Sequence, residues 1–178
     1  NFYMAIDVKT ISMMDLRSTP GEILDKVAVE GEAFIIERKG DLLACLVPVN
    51  LFFPNIKKDV INRELEILDT NNERPKIRLS DAKELELNFI ETTYYEGYTI
   101  KIVLPHGFPN IPPRIYVSPV EADTPHRWED GSVCIYGAYS TWNPGKHNIM
   151  HALKLSKTWL KHYVNWKKNG QWGEIKNE

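Results

Sequence analysis

Cys134 follows an Asp130-Gly131 turn and lies eight positions after His126, in a chain of 178 residues whose other cysteine is Cys45. The thiolate is the form of cysteine that acts as a nucleophile, and a cysteine just after a turn is placed where a nucleophile is held at a surface. The alternative is packing, because free cysteine is among the most buried residue types. The surroundings favour chemistry. Residues 119–145 lose regular alternation and gather Thr124-Pro125-His126-Arg127-Trp128, Asp130-Gly131-Ser132-Val133-Cys134-Ile135-Tyr136 and Trp142-Asn143-Pro144. A loop beyond ~12–15 residues in a compact domain is usually functional. Cys45 reads differently, in a β-rich run with Leu43 and Val47 on its own face, and is expected to pack. His147 and His151 have the i, i+4 spacing of a metal pair. No third ligand stands near them, and two cysteines are too few for a zinc site without further help, so no metal is expected.

The pattern around the loop predicts the elements that hold it. Ile56, Val60, Ile61, Leu65 and Leu68, with Glu64 beside Leu65, form the stripe of a helix over 56–68 that Asn55 can cap. Residues 71–75 form a turn, and the runs 85–93, 98–104 and 114–117 read as strands, with Glu96-Gly97 at the first hairpin. Pro112-Pro113 fixes the start of the third strand and removes amide donors there. A second long helix covers about 148–168, with Trp159, Tyr163 and Trp166 at i, i+4 and i+7 on its core face. Trp142 and Pro144 are expected to pack the loop beneath the cysteine. Helix, antiparallel meander, irregular loop and helix describe an α+β domain with its helices on one face of the sheet.

Residues 1–53 form a separate small module. An extended run at 9–12 leads into a helix over 15–27 with Leu16, Ile23, Leu24 and Val27 at helical spacing. Pro20 suits a first turn if that helix starts near Ser18 or Thr19, and Gly31 ends it. Strands at 33–37 and 42–47 then flank Arg38-Lys39-Gly40-Asp41, a tight hairpin. The module holds five basic and eight acidic residues against 17 and 16 in 54–178, while 146–178 alone carries seven Lys and two Glu. That basic end is either a solvated helix face or a contact for an acidic partner. At 43% apolar and 26% charged, with a net charge of −2, the chain is expected to be soluble and cytoplasmic. It has no run approaching the ~18 apolar residues of a membrane span and no leader pattern.

Several motifs in order now resemble a known family. Phe108-Pro109-Asn-Ile-Pro112-Pro113 before a strand, then His126, Gly131-Ser-Val-Cys134-Ile and Trp142-Asn-Pro144, together with the first helix and the Tyr95-Glu-Gly97-Tyr turn, resemble the ubiquitin-conjugating-enzyme (UBC) core. The likeness covers about 110 residues. The His-x-x-x-Asp-Gly-x-x-Cys form and the tail Trp159-Leu, Tyr163, Trp166, Gly170-x-Trp172-Gly look more like the bacterial conjugating-enzyme-like proteins of antiphage operons, including the short CBASS type. The resemblance implies that Cys134 accepts the C-terminal acyl group of a ubiquitin-like or other protein as a thioester and passes it to an amine. An activating enzyme would be a partner, and no metal or organic cofactor would be needed. In the eukaryotic UBC family an Asn in a His-Pro-Asn motif fills or supports the oxyanion role, whereas this chain reads Pro125-His126-Arg127. Candidates to substitute are His126, Arg127 and Asn143; His126 is preferred among the three, and a structural role, hydrogen-bonded within the loop, stands at least level with a catalytic one for it.

The first module resembles another family. Thr10-Ile-Ser, Asp15-Leu-Arg, Gly21-Glu-Ile-Leu-Asp-Lys-Val, Phe34-Ile-Ile-Glu-Arg-Lys-Gly40 and Ala44-Cys-Leu-Val-Pro48-Val look like the Phd/YefM antitoxin N-terminal module over about 45 residues. That likeness implies a homodimer and leaves operator DNA open as a partner. The acidic balance favours dimerisation, since non-specific DNA affinity rests on basic charge, although Arg17, Arg38 and Lys39 could contact phosphates. The competing reading of the whole chain is a Phd-like DNA-binding regulator whose UBC-like half is catalytically silent.

Overall fold

The computed structural model describes residues 8–52, 56–92, 95–137 and 140–173, and the chain divides into two compact units, 1–54 and 55–178. The fold is α+β in both. In the first unit, β1 (Val8–Ser12) leads into α1 (Met13–Ser18), α2 (Pro20–Asp25) and a π-helical stretch (Lys26–Glu30), and then β2 (Ala33–Arg38), β3 (Asp41–Leu46) and the short α3 (Val49–Phe52). The helices carry the chain from β1 to β2, which pair in parallel, and the hairpin adds β3 antiparallel, giving the order β1-β2-β3. Ile23, Val27 and Phe34 form the buried cluster, with Ile11, Leu16 and Leu46 packed against it.

Two expectations change here. The single helix over 15–27 is broken at Thr19, whose φ of −136° and ψ of 55° leave the helical region. Pro20 has no amide hydrogen and takes the first position of α2 instead. Ser12 caps α1 through a capping box with Asp15, so the helical segment begins earlier than the apolar spacing predicts. The break shifts the phase of the stripe, and Leu24 is left exposed. Cys45 is exposed as well, against the expectation of packing. Its partner in the ladder is Ile35, the neighbour of Phe34, and side chains alternate along a strand. Cys45 therefore stands on the sheet face away from the Phe34 cluster.

The second unit contains α4 (Lys58–Thr70), β4 (Lys76–Leu79), β5 (Leu85–Ile90), β6 (Thr99–Leu104), β7 (Arg114–Ser118) and α5 (Ile149–Asn169). The expected cap Asn55 lies outside the described residues, and α4 starts after Lys57 without a side-chain cap. Ile61, Glu64 and Leu68 are its buried residues. The four strands form an antiparallel meander in sequence order. β4 escaped the sequence reading because all four of its residues are exposed on an outer strand, so no burial alternation marks it. β5 ends at Ile90, before the expected Thr93, which lies outside the described residues. Leu85, Leu87 and Phe89 face Ile100, Ile102 and Leu104 across the register, and Ile115 and Val117 continue the same buried layer. α5 packs on β6 and β7 with Ala152, Leu153, Trp159, Leu160 and Tyr163 buried. Asn148 caps α5, accepting from the His151 amide at 2.9 Å. The buried Glu64 carboxylate accepts the Ile149 amide at 2.7 Å, tying α4 to the positive end of α5. Among the described residues no helix is long and apolar enough to cross a membrane.

Candidate active site

Cys134 closes a small hairpin laid against the end of the sheet. Arg127 bridges Val133, the Trp128 amide donates to Ser132 O at 2.8 Å, and the Cys134 amide donates to His126 O at 2.8 Å. Gly131 turns the tip with φ of 82°, a conformation that favours glycine, and a Cβ there would meet Arg127 Nη2 at 3.0 Å. Asp130 locks the turn by accepting from the Ser132 amide at 2.9 Å and its hydroxyl at 2.6 Å. Those bonds hold its carboxyl below the usual carboxylate range. The Val133 amide donates to Ile115 O at 2.8 Å, which pins the hairpin to β7. Val133 and Ile135 are buried on either side, so the intervening cysteine is left half-buried. Burial pushes the Cys134 thiol above its ordinary range.

His126 is held by its neighbours in the left-handed region, with φ of 59°. Its carbonyl accepts both the Cys134 amide and the Trp159 indole, the latter at 3.1 Å. Its ring lies against Trp172, 4.8 Å between centroids, and burial followed by nearby His162 keeps the imidazole below its ordinary value. Arg127 is a brace, because Nε donates to Gly131 O and Nη1 to Glu121 O, both at 3.2 Å. A guanidinium committed to two carbonyls is a poor candidate for a developing oxyanion.

Asn143 shapes its own turn. Its Oδ1 accepts the Gly145 amide at 2.9 Å, its amide donates to His147 Nδ1 at 3.1 Å, and its carbonyl accepts the His147 amide at 2.8 Å. Trp142 donates its indole hydrogen to Pro109 O at 2.6 Å and packs on Phe108 and Tyr136. Pro144 is exposed, contrary to the expected packing role. His147 and His151 stack face to face at 4.0 Å, and among the described residues no three His, Cys, Asp or Glu side chains are placed to hold a metal ion.

A cavity of about 290 Å³ opens beside the hairpin, lined by Ile111, Pro112, Trp128, Val133 and Tyr136 among others. Its wall is largely apolar, and Val133 and Tyr136 of its lining flank Cys134 in sequence. Two participants escaped the sequence reading of the site. Glu121 receives Arg127 through its carbonyl and Tyr163 and Lys167 through its carboxylate. Trp172 covers His126. A signal for the latter exists, because an apolar residue just past a helix-ending glycine commonly folds back on the helix.

No curated protein and no solved structure matches the chain. The family model described as Type II CBASS E2 protein matches residues 64–177. That stretch spans the end of α4, the whole meander, the Cys134 hairpin and α5. Because the match takes in well over half of the chain and the entire frame of the candidate site, the chain belongs to the type II CBASS E2 family of ubiquitin-conjugating-like proteins in antiphage defence.

Proposed function

We propose that Cys134 is the acyl acceptor of a conjugation reaction. The observation that carries this is a half-buried thiol on a hairpin whose backbone is hydrogen-bonded to His126 and to β7. The Cys134 thiolate, its proton given to solvent, adds to the activated carbonyl carbon at the C terminus of a ubiquitin-like or other protein. The resulting oxyanion collapses and expels the thiolate of the activating enzyme, leaving a thioester on Sγ. A lysine amine then adds, loses a proton to solvent, and displaces the Cys134 thiolate as the amide forms.

Transfer needs a donor for the oxyanion. With Arg127 committed, His126 and the Asn143 carboxamide remain. Asn143 directs Oδ1 to Gly145, which leaves the Nδ2 hydrogens for another acceptor. His126 is preferred because its backbone is bonded to that of Cys134. Replacing the true donor by alanine is expected to slow transfer by roughly 10²- to 10³-fold. The test of the reading as a whole uses the full chain with its activating enzyme, donor protein and ATP, resolved on non-reducing gels. A thiol-sensitive adduct that is absent in Cys134→Ala and becomes thiol-resistant in Cys134→Ser supports it. Failure of wild type to load overturns it.

For the first unit the proposed role is self-association of a cytoplasmic protein. A second reading, a DNA-binding regulator with a silent second unit, draws on the absence of the Asn that the eukaryotic UBC family carries in its His-Pro-Asn motif. It predicts operator binding that is indifferent to Cys134→Ala.

A further inference from the structure

The tail beyond α5 carries an inference that rests on the reading of Cys134 as the acyl acceptor and deepens it. We propose that Trp172 is a positioning residue for acyl transfer, clamping His126 so that the His126 carbonyl holds the backbone of Cys134 in register for attack. The chain reaches this position by a sharp reversal. Gly170 adopts φ of 73° and donates its amide to Trp166 O at 2.7 Å, and the Gln171 amide donates to Asn169 Oδ1 at 3.0 Å. The strap 171–173 then returns along the helix. Gly173 lets it lie close, since a Cβ there would sit 2.6 Å from His162 Nδ1.

Trp172 is thereby fixed among His126 at 4.8 Å, Trp159 at 5.3 Å, His162 at 6.3 Å and Trp166 at 6.4 Å between ring centroids. His126 is gripped on two sides, its carbonyl by the Trp159 indole hydrogen and its ring by Trp172. A left-handed conformation at a non-glycine residue persists only where the surroundings over-determine it. Here the same residue supplies the acceptor for the Cys134 amide. Trp172 acts through the face of its ring: its Nε1 is buried with no partner among the described residues. Phenylalanine should therefore serve in its place. Since burial also holds the His126 imidazole below its ordinary value, uncovering the ring raises its titration towards the unperturbed range.

The experiment measures two quantities on the full chain. One is the rate of Cys134 thioester formation across donor concentrations, and the other is the His126 imidazole titration by NMR. Trp172→Ala is expected to lower the maximal loading rate by roughly 10- to 100-fold, the cost of misplacing a reacting group. Half-saturation by the donor stays unchanged, and the His126 titration moves upwards. Trp172→Phe restores both. Gly173→Ala, which displaces the strap while leaving the tryptophan in the chain, moves both in the direction of Trp172→Ala and serves if the latter does not fold. Loading and titration at wild-type values in the folded variants would overturn the inference. A wild type that never loads overturns the reading of Cys134 instead, and the titration alone then judges the clamp.

Discussion

At the scale of single residues, the proposed acyl acceptor Cys134 is expected to be a slow general nucleophile. Its thiol is pushed up by burial. Thiol exchange runs faster from a leaving group of lower pKa, so a donor thioester on a more acidic cysteine is the suitable source. Small reagents without such a driving force should react slowly. Iodoacetamide at pH 7 is expected to modify the exposed Cys45 well before Cys134, with the Cys134 rate still climbing above pH ~8.5, and peptide mass spectrometry reads both. Faster labelling of Cys134 would contradict this. Asp130 makes a second prediction. Its carboxyl is depressed by the Ser132 bonds, so the stabilisation is complete above the ordinary aspartate range and is lost as pH falls through the lower folded value. The Ser132 amide resonance should hold its native shift below pH ~4 and move only in stronger acid. In Asp130→Asn the acid transition of that resonance should disappear.

Elements decide how firmly the site is held. α5 is anchored at its first turn by Glu64, a carboxylate 1% exposed that reaches across from α4 to the Ile149 amide. Arg63 lies 3.1 Å from its other oxygen. Removing one partner of a buried charged bond strands the other, so Glu64→Ala should cost about 2–4 kcal/mol, with Glu64→Gln milder because it keeps an acceptor. All five tryptophans lie beyond residue 54. Urea titration followed by their fluorescence therefore reports this unit alone. The same turn carries a pH dependence. Burial, then His147 and then Lys154 hold His151 below its ordinary value, and the two rings stack at 4.0 Å. The neutral form is the one that fits, so this stabilisation is present above pH ~6.5 and declines as pH falls through the folded value beneath it. Stability of the second unit should drop in mild acid, and His151→Phe should flatten that slope.

For the molecule as a whole, the two units differ in what they leave uncovered. Among the described residues, Val8, Met14, Leu24, Val29, Leu42, Leu43, Val49 and Leu51 of the first unit are exposed large hydrophobics, against five in the second unit. β3 is an outer strand with one edge unpaired, and an exposed apolar edge is a template for another chain. The whole chain should run as a dimer in light scattering, residues 55–178 as a monomer, and a Leu42→Glu, Leu43→Glu double variant as a monomer that still loads Cys134. A monomeric wild type would remove the case for the first unit as a self-association module.

Much of this molecule is written locally. The alternation of β5, β6 and β7, the long amphipathic α5 and the Lys39-Gly40 hairpin follow from side-chain period and turn chemistry, which act within a few residues. The spacing of His126, Cys134 and Trp142 likewise marked the loop before any coordinates. Contacts between distant segments escaped, because no local period encodes them. Pro20 opens α2, the start near Thr19 that the sequence allows, while the apolar spacing does not announce the separate α1 before it; β4 lacked a buried face to betray it, and Cys45 faces away from the Phe34 cluster. Arg127 donates to the Gly131 and Glu121 carbonyls, and Trp172 reaches His126 through a reversal at Gly170. The sequence by itself singled out Cys134 as the candidate thiol and marked β5, β6, β7 and the two helices of its unit. Only the tertiary structure decided what holds the Cys134 hairpin, since the Ile115 carbonyl that receives the Val133 amide comes from β7 and the Trp159 indole that meets the His126 carbonyl comes from α5.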